Sequence, residues 1–201
     1  MPDALKAFPQ FVVWRLVQRP GEPKPAKLPV NPATGYPASA TDASTWTDFD
    51  TACRTFATGQ YEGIGFVFAA ADPFAFIDLD DCRDPVTGDW TAFAKTVVQA
   101  FFPGAAWETS QSGNGLHGIA LVSDKATLAN KARKWTDASG NRVEFYTEGR
   151  FVAFGKCDWS RLDLTTDHTA ALAAWLPDRA SPRPGVIEWT DEARPDYAGT
   201  G

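Results

Sequence analysis

The sequence predicts an α+β fold built on a mixed, largely antiparallel sheet. Two observations predict it. Strand-like apolar runs and segments of helical spacing are interleaved along the chain without a strict strand–helix alternation. Several neighbouring runs are joined by connections of hairpin length. The composition agrees: 201 residues, 44% hydrophobic, with eight Trp, suffice for one domain with a substantial core.

The elements follow in order. Phe11-Val-Val-Trp-Arg-Leu16 reads as a first strand. Pro20 to Pro37 holds six Pro and reads as a loop too irregular for an element. Ser44 or Thr45 can cap a helix from about Trp46 to Phe56, with Trp46, Phe49, Cys53 and Phe56 at helical spacing and Gly59 ending it. Gly63–Phe68 and Phe74–Asp80 flank a short turn at Asp72-Pro73 and read as a β-hairpin. A second helix fits Trp90 to Phe101, stopped by Pro103-Gly104. His117 to Val122 is strand-like, and Asp124 to Trp135 reads as a basic helix. After a turn at Asp137–Asn141, Arg142–Thr147 and Arg150–Phe154 read as two more strands, and Asp167–Trp175 as a last amphipathic helix. From 178 the chain is rich in Pro, Arg, Asp and Gly and has no periodicity. The expected organisation is a folded domain at 1–177 and a flexible tail or linker at 178–201.

A net charge of −6 counts against a protein that coats nucleic acid, though not against an enzyme that grips it through a local basic stripe. Cys53, Cys82 and Cys157 are dispersed and form no CxxC pair, which suggests a reducing compartment and no structural zinc. Met1–Gln10 lacks the pattern of a signal peptide, and no apolar stretch approaches the ~20 residues that span a bilayer. The expectation is a cytoplasmic protein with no membrane partner.

Four features carry chemistry. In Ile77-Asp78-Leu79-Asp80, strand alternation puts both aspartates on one face. Two carboxylates there repel unless a cation sits between them, and Mg²⁺ or Mn²⁺ prefers such oxygens. Taken alone, the pair is equally compatible with a solvated strand end. Asp81 and Asp84 extend the acidic stretch. The second feature, Ser110-Gln-Ser112-Gly113-Asn114-Gly115-Leu-His117, has two glycines that let the backbone curl, so that amides and Ser hydroxyls can cradle an anion such as a triphosphate. Alone it is also compatible with a plain turn. It is neither a Walker A loop nor a dinucleotide fingerprint. The third is Glu144, flanked by core-facing Val143 and Phe145 and so projecting from the opposite face, a place that taken alone equally suits a solvent-facing strand Glu. The fourth is a basic stripe over 125–150, with Lys125, Lys131, Arg133, Lys134, Arg142 and Arg150 against Asp137, Glu144 and Glu148. Arg150, in a strand-like run, offers a planar fork for phosphate.

These features occur in a set order: Lys27-Leu-Pro-Val-Asn-Pro-Ala-Thr-Gly35, Thr45-Trp46, Gly63-Ile-Gly-Phe-Val67, Ile77-Asp-Leu-Asp-Asp81, Glu108 to His117, Val143-Glu-Phe-Tyr146, and Arg150 to Gly155. The series resembles the primase-polymerase (prim-pol) domains of the archaeo-eukaryotic primase superfamily, above all the N-terminal domains of phage and plasmid replication proteins. The resemblance covers about residues 10–157. It implies the prim-pol fold, an RRM-like catalytic core flanked by helices. It implies paired metal-binding aspartates at Asp78 and Asp80, a third acidic ligand at Glu144, and a phosphate-contacting His117 with Ser112; Ser110, Gly113, Asn114 and Gly115 of the same loop complete the candidate nucleotide-binding set. Lys27 and Arg150 match basic positions associated with nucleotide phosphates; Arg133, Lys134 and Arg142 are candidates for contact with DNA. Phe154 departs from the pattern, since many relatives carry Thr-Gly where this chain has Phe154-Gly155.

The implied activity is template-dependent nucleotidyl transfer. The enzyme would use NTP or dNTP, Mg²⁺ or Mn²⁺ and a single-stranded DNA template, making or extending primers with pyrophosphate release, in phage or plasmid-type replication. Relatives often carry a helicase domain downstream, an implied partner. Two alternatives stay open at this point: another metal enzyme using a DxD pair (a nuclease or glycosyltransferase), and a non-catalytic nucleic-acid-binding module of the same fold. The chain's two His, His117 and His168, cannot form the paired-His motif of a rolling-circle nuclease.

Overall fold

Aromatic residues at alternate strand positions set the architecture, which the computed structural model describes for residues 1–179. Four strands, β1 (Phe11–Val17), β2 (Ala26–Val30), β3 (Gly63–Phe68) and β9 (Arg150–Ala153), form a first sheet in the order β2-β1-β3-β9. Five strands, β4 (Phe74–Asp80), β5 (Ala106–Thr109), β6 (Leu116–Leu121), β7 (Lys134–Thr136) and β8 (Arg142–Tyr146), form a second in the order β5-β6-β4-β8-β7. All pairings are antiparallel. The sheets meet through a shared core. Phe11, Phe66, Phe68, Val152 and Phe154 on one side face Phe74, Phe76, Ala106, Ile119 and Tyr146 on the other. Rings meet across it, Phe66–Phe74 edge-on at 6.4 Å and Phe68–Phe76 tilted at 5.5 Å.

The other face of the second sheet carries Ile77, Leu79, Leu116, Val143 and Phe145. It is covered by helix α3 (Ala92–Thr96), the π-helical turn Val97–Phe101 that continues it, and α4 (Thr169–Trp175). The short helix α1 (Asp3–Lys6) and α2 (Phe49–Phe56) add Leu5 and Ala52 to the inter-sheet core. This is the expected α+β, largely antiparallel class. Among the described residues no helix is long and apolar enough to cross a membrane.

Five expectations are corrected. The runs 63–68 and 74–80 are strands but not a hairpin; they belong to different sheets. As a hairpin they would have placed their alternate aromatics on one face. Crossing between sheets buries both sets against each other instead. Buried Asp72 makes the crossing, accepting Ala69 N–H (2.7 Å), Phe74 N–H (2.9 Å) and the Gln10 amide (2.8 Å), and pairing with Lys125 Nζ (2.9 Å). The Pro-rich stretch contains a strand, β2, because it lies at a sheet edge where Pro29 needs no ladder N–H. The basic segment 124–135 is not a helix. It holds a 3₁₀ turn at Ala126–Leu128 and enters β7, with Arg133 C=O accepting Phe145 N–H at 2.7 Å and Lys125 drawn to Asp72, Ala69 O and Thr147 O. Helix α2 begins at Phe49, because Asp48 rather than Ser44 or Thr45 caps it, accepting Thr51 N–H at 2.8 Å. Strand β5 has no counterpart among the sequence expectations, because its four residues are all buried and show no alternation. The expected tail at 178–201 lies, from 180 on, outside the described residues.

One glycine tests the packing of the first sheet. A Cβ on Gly65 would meet the Phe151 ring and lie 2.6 Å from the Val152 carbonyl oxygen, which cannot retreat without breaking the β3–β9 pairing. Gly65→Ala is expected to destabilise the fold by about 1–3 kcal/mol, read as a lower Tm in thermal melts.

Candidate active site

The register of the second sheet assembles a polar row. Glu108 lies opposite His117, His117 opposite Asp78, Asp78 opposite Glu144, and Glu144 opposite Lys134, so one line crosses all five strands. Asp80, two residues along β4, points to the same face and lies opposite Arg142. The face is the one that packs the aromatic core against the first sheet. Phe76 and Tyr146 belong to that core, and the carboxylates begin where it ends.

Two cavities flank the carboxylates. One, of about 210 Å³, is shared between the sheets; Asp78 and His117 line it from one side and Lys27 and Arg150 from the other. Strands β2 and β9 are opposite edges of the first sheet, yet the sheet curls until they come into contact, which brings Lys27 and Arg150 together. The second cavity, of about 330 Å³, is lined by Asp80, Glu144, Lys134 and Arg142.

Each charged group has an answer nearby. Glu144 is held by Lys134 Nζ (2.9 Å), Arg150 (3.1 Å) and the Tyr146 hydroxyl (2.9 Å), and the Arg150 guanidinium stacks over Tyr146 at 4.5 Å. Arg142 pairs with Asp81, which ends β4 at a left-handed φ of 47°. Burial pushes the Asp78 carboxyl up to about 6; Asp80 and Glu144 add to the rise, while His117 and Lys27 oppose it. Asp80 is raised too, by burial and then by Glu144. Burial lowers the Lys27 ammonium, with Asp78 and Glu108 opposing.

The turn Ser110–Gly115 joins β5 to β6 and presses on the end of β4 beside Asp80. It uses its own groups internally. Gly113 N–H donates to Ser110 O (2.9 Å), Gly115 N–H to Ser110 Oγ (3.1 Å) and Asn114 N–H to Ser112 Oγ (3.4 Å). The structure thus brings Lys27, Asp78, His117 and Arg150 around one cavity, and Asp80, Glu144, Lys134 and Arg142 around the other. The amides at 113–115 stay within the turn. Arg133 lies apart, lining a third cavity with Lys125 and Lys131.

Sequence reasoning missed Glu108 and Tyr146. The Glu108 carboxylate is fully buried, with Oε1 3.0 Å from His117 Nδ1. It also accepts Gly155 N–H (2.8 Å) and Cys157 N–H (3.0 Å). A signal existed: a hairpin centred between Ser112 and Gly113 pairs 108 with 117.

The donor set suits a hard divalent cation at Asp78 and Asp80, because the two share a face and burial, with neighbouring carboxylates, raises both. Among the described residues no three His, Cys, Asp or Glu side chains converge closely enough to hold a metal as they stand. Glu144 is turned to its cationic partners, and it would join the aspartates only by leaving them.

Asp78 makes stability depend on pH. Its folded pKa lies above the usual 3.8, so the folded state holds this proton more tightly than the unfolded one. The ionisation therefore weakens the fold as pH rises from about 4 to about 6, and the cost is complete above that. Asp78→Asn, which cannot ionise, is expected to be more stable than the wild type by about 1–3 kcal/mol at about pH 8 without divalent cations. The difference should vanish below about pH 4 in paired thermal melts.

No family model matches the chain. Over 171 residues it is 32% identical to a protein named DNA primase-polymerase from Nitratiruptor phage NrS-1. The aligned stretch takes in 81% of this chain but 22% of that protein, so the chain spans about a fifth of the relative's length. This likeness supports the resemblance drawn from the order of the motifs.

Proposed function

We propose that the chain is the catalytic core of a DNA primase or polymerase, a template-dependent nucleotidyltransferase that joins nucleotides on single-stranded DNA and releases pyrophosphate. One observation carries the reading: Asp78 and His117 of one sheet share a cleft with Lys27 and Arg150 of the other, with Asp80 and Glu144 on its flank. The likeness to a phage protein named DNA primase-polymerase supports it from an independent side.

The roles follow from charge and position. Lys27 and Arg150 offer donors to a triphosphate in the inter-sheet cavity, and His117 lines the facing wall. Asp78 and Asp80, joined by Glu144, would hold Mg²⁺ or Mn²⁺. Such an ion supplies neutralisation of phosphate charge and a lowered barrier to deprotonating the attacking hydroxyl. What the chain itself supplies is positioning, with the cations fixed on one wall and the carboxylates on the other. Lys134 and Arg142 border the open second cavity, where a nucleic acid backbone can reach them. Cytoplasmic DNA replication is the setting this chemistry fits, with a helicase as a natural partner.

The test is incorporation of labelled NTP or dNTP on single-stranded DNA, with and without a primer, in Mg²⁺ or Mn²⁺. Asp78→Ala combined with Asp80→Ala should lower incorporation by about a thousandfold. Lys27→Ala or Arg150→Ala should raise the nucleotide KM about tenfold to a hundredfold. Mn²⁺ should raise the Tm of the wild type but not of the double variant, a readout independent of turnover. DNA binding without any turnover would instead support a non-catalytic module, and strand cleavage a nuclease.

A further inference from the structure

The one buried acid in the row that the proposed roles leave unused is Glu108. Its side chain is 0% exposed and sits on β5, an edge strand of the second sheet. A buried carboxylate without partners is costly, and here every contact is accounted for. Two of its three partners are backbone amides, Gly155 N–H and Cys157 N–H, from the segment that leaves β9. That segment can reach Glu108 only because residue 155 is glycine. A Cβ there would run into the Thr109 carbonyl and lie 2.6 Å from Gln111 N. Cys157 adopts a left-handed φ of 54° in the same stretch.

The third partner is His117 Nδ1 at 3.0 Å. A carboxylate that already accepts two amide N–H groups has only lone pairs left to offer, so Nδ1 must carry the proton and donate. The ring is held from a second direction by Phe76, edge-on at 5.3 Å. Its remaining nitrogen, Nε2, has no hydrogen-bond partner among the described residues and is not sealed from solvent, while the ring itself lines the cavity with Lys27 and Arg150.

We infer that Glu108 is a positioning residue: it fixes the proton of His117 on Nδ1 and so turns Nε2, an acceptor, toward a nucleotide bound beside Lys27 and Arg150. The ligand in this statement rests on the function proposed above; the geometry of the pair does not. Glu108 also ties the end of β9 to the second sheet, so the strand that carries Arg150 and the ring of His117 are held by one carboxylate. A neighbouring acid provides the comparison. Asp158 binds the same segment to β5, accepting Thr109 N–H and the Thr109 hydroxyl at 2.7 Å each, and it makes no contact with His117.

The experiment is a long-range ¹H–¹⁵N spectrum of the imidazoles in the ¹⁵N-labelled full chain, which has only two histidines to assign. The wild type should show His117 protonated on Nδ1. Glu108→Gln should lose that single state, and Asp158→Asn should keep it. In the incorporation assay Glu108→Gln should raise the nucleotide KM about tenfold, with Asp158→Asn near wild type. A wild-type proton on Nε2 alone overturns the inference and requires no variant to fold. An unchanged imidazole spectrum in folded Glu108→Gln, or an equal change in Asp158→Asn, overturns it as well. A wild type that incorporates nothing refutes the proposed function, and the spectrum then still decides what Glu108 does.

Discussion

Carboxylates gathered on one strand face must be answered by positive charge, and in this molecule much of that charge comes from the opposite sheet. Asp78, Asp80 and Glu144 cannot all ionise side by side in a half-buried setting at no cost, as the upward shifts of the two aspartates record. The second sheet supplies Lys134 from its edge strand β7 and Arg142 from the neighbouring β8. Lys27 and Arg150 come from the first sheet, on strands that meet only because that sheet curls. The cleft is thus a product of how two sheets face each other, and neither sheet contains it alone.

What holds the sheets in that relation is largely at the other end of β4. Asp72 gathers Ala69 and Phe74 amides, the Gln10 side chain and Lys125 at the point where the chain leaves one sheet for the other. This buried knot sets where β4 enters the second sheet, and so its register against β6 and β8. Register matters here more than in most strands. A slip of one residue would turn Asp78 and Asp80 under the helices and Ile77 and Leu79 into the cleft. The aromatic pairs across the core, Phe66 with Phe74 and Phe68 with Phe76, oppose such a slip, because a one-residue shift would turn Phe74 and Phe76 away from the facing rings.

The legibility of the sequence followed the same division between local and long-range forces. Alternation in Ile77-Asp-Leu-Asp80 and Val143-Glu-Phe145 is local, and it correctly put the acids on one side and the apolar residues on the other. Which strand pairs with which is not local. The short connection at Asp72-Pro73 has the length of a hairpin turn, yet the burial of four phenylalanines sends the chain across the core. Strand β2 was hidden by its prolines, which only an edge position tolerates, and β5 by burial on both faces. Glu108 was hidden for a related reason. Its pairing with His117 follows from the hairpin register, but the two backbone amides that complete its burial lie forty-odd residues away.

The balance of charge around the cleft bears on the proposed chemistry. Lys27, Lys134, Arg142 and Arg150 are set against Asp78, Asp80, Asp81, Glu108 and Glu144, so the site is not a basic patch at all. A bare triphosphate entering it would add negative charge to a region that already has slightly too much. Arg150 and Lys134 would also have to leave Glu144 to meet it. Both difficulties ease if the anion arrives with a divalent cation. Asp78, Asp80 and Glu144 would hold such a cation, which would supply charge to set against their repulsion, and Arg150 and Lys134 would then be free to donate to phosphate. In this view the ion pairs around Glu144 and the unusual aspartate shifts are two sides of one arrangement. That arrangement suits the metal-bound nucleotide of the proposed function better than it would a bare triphosphate.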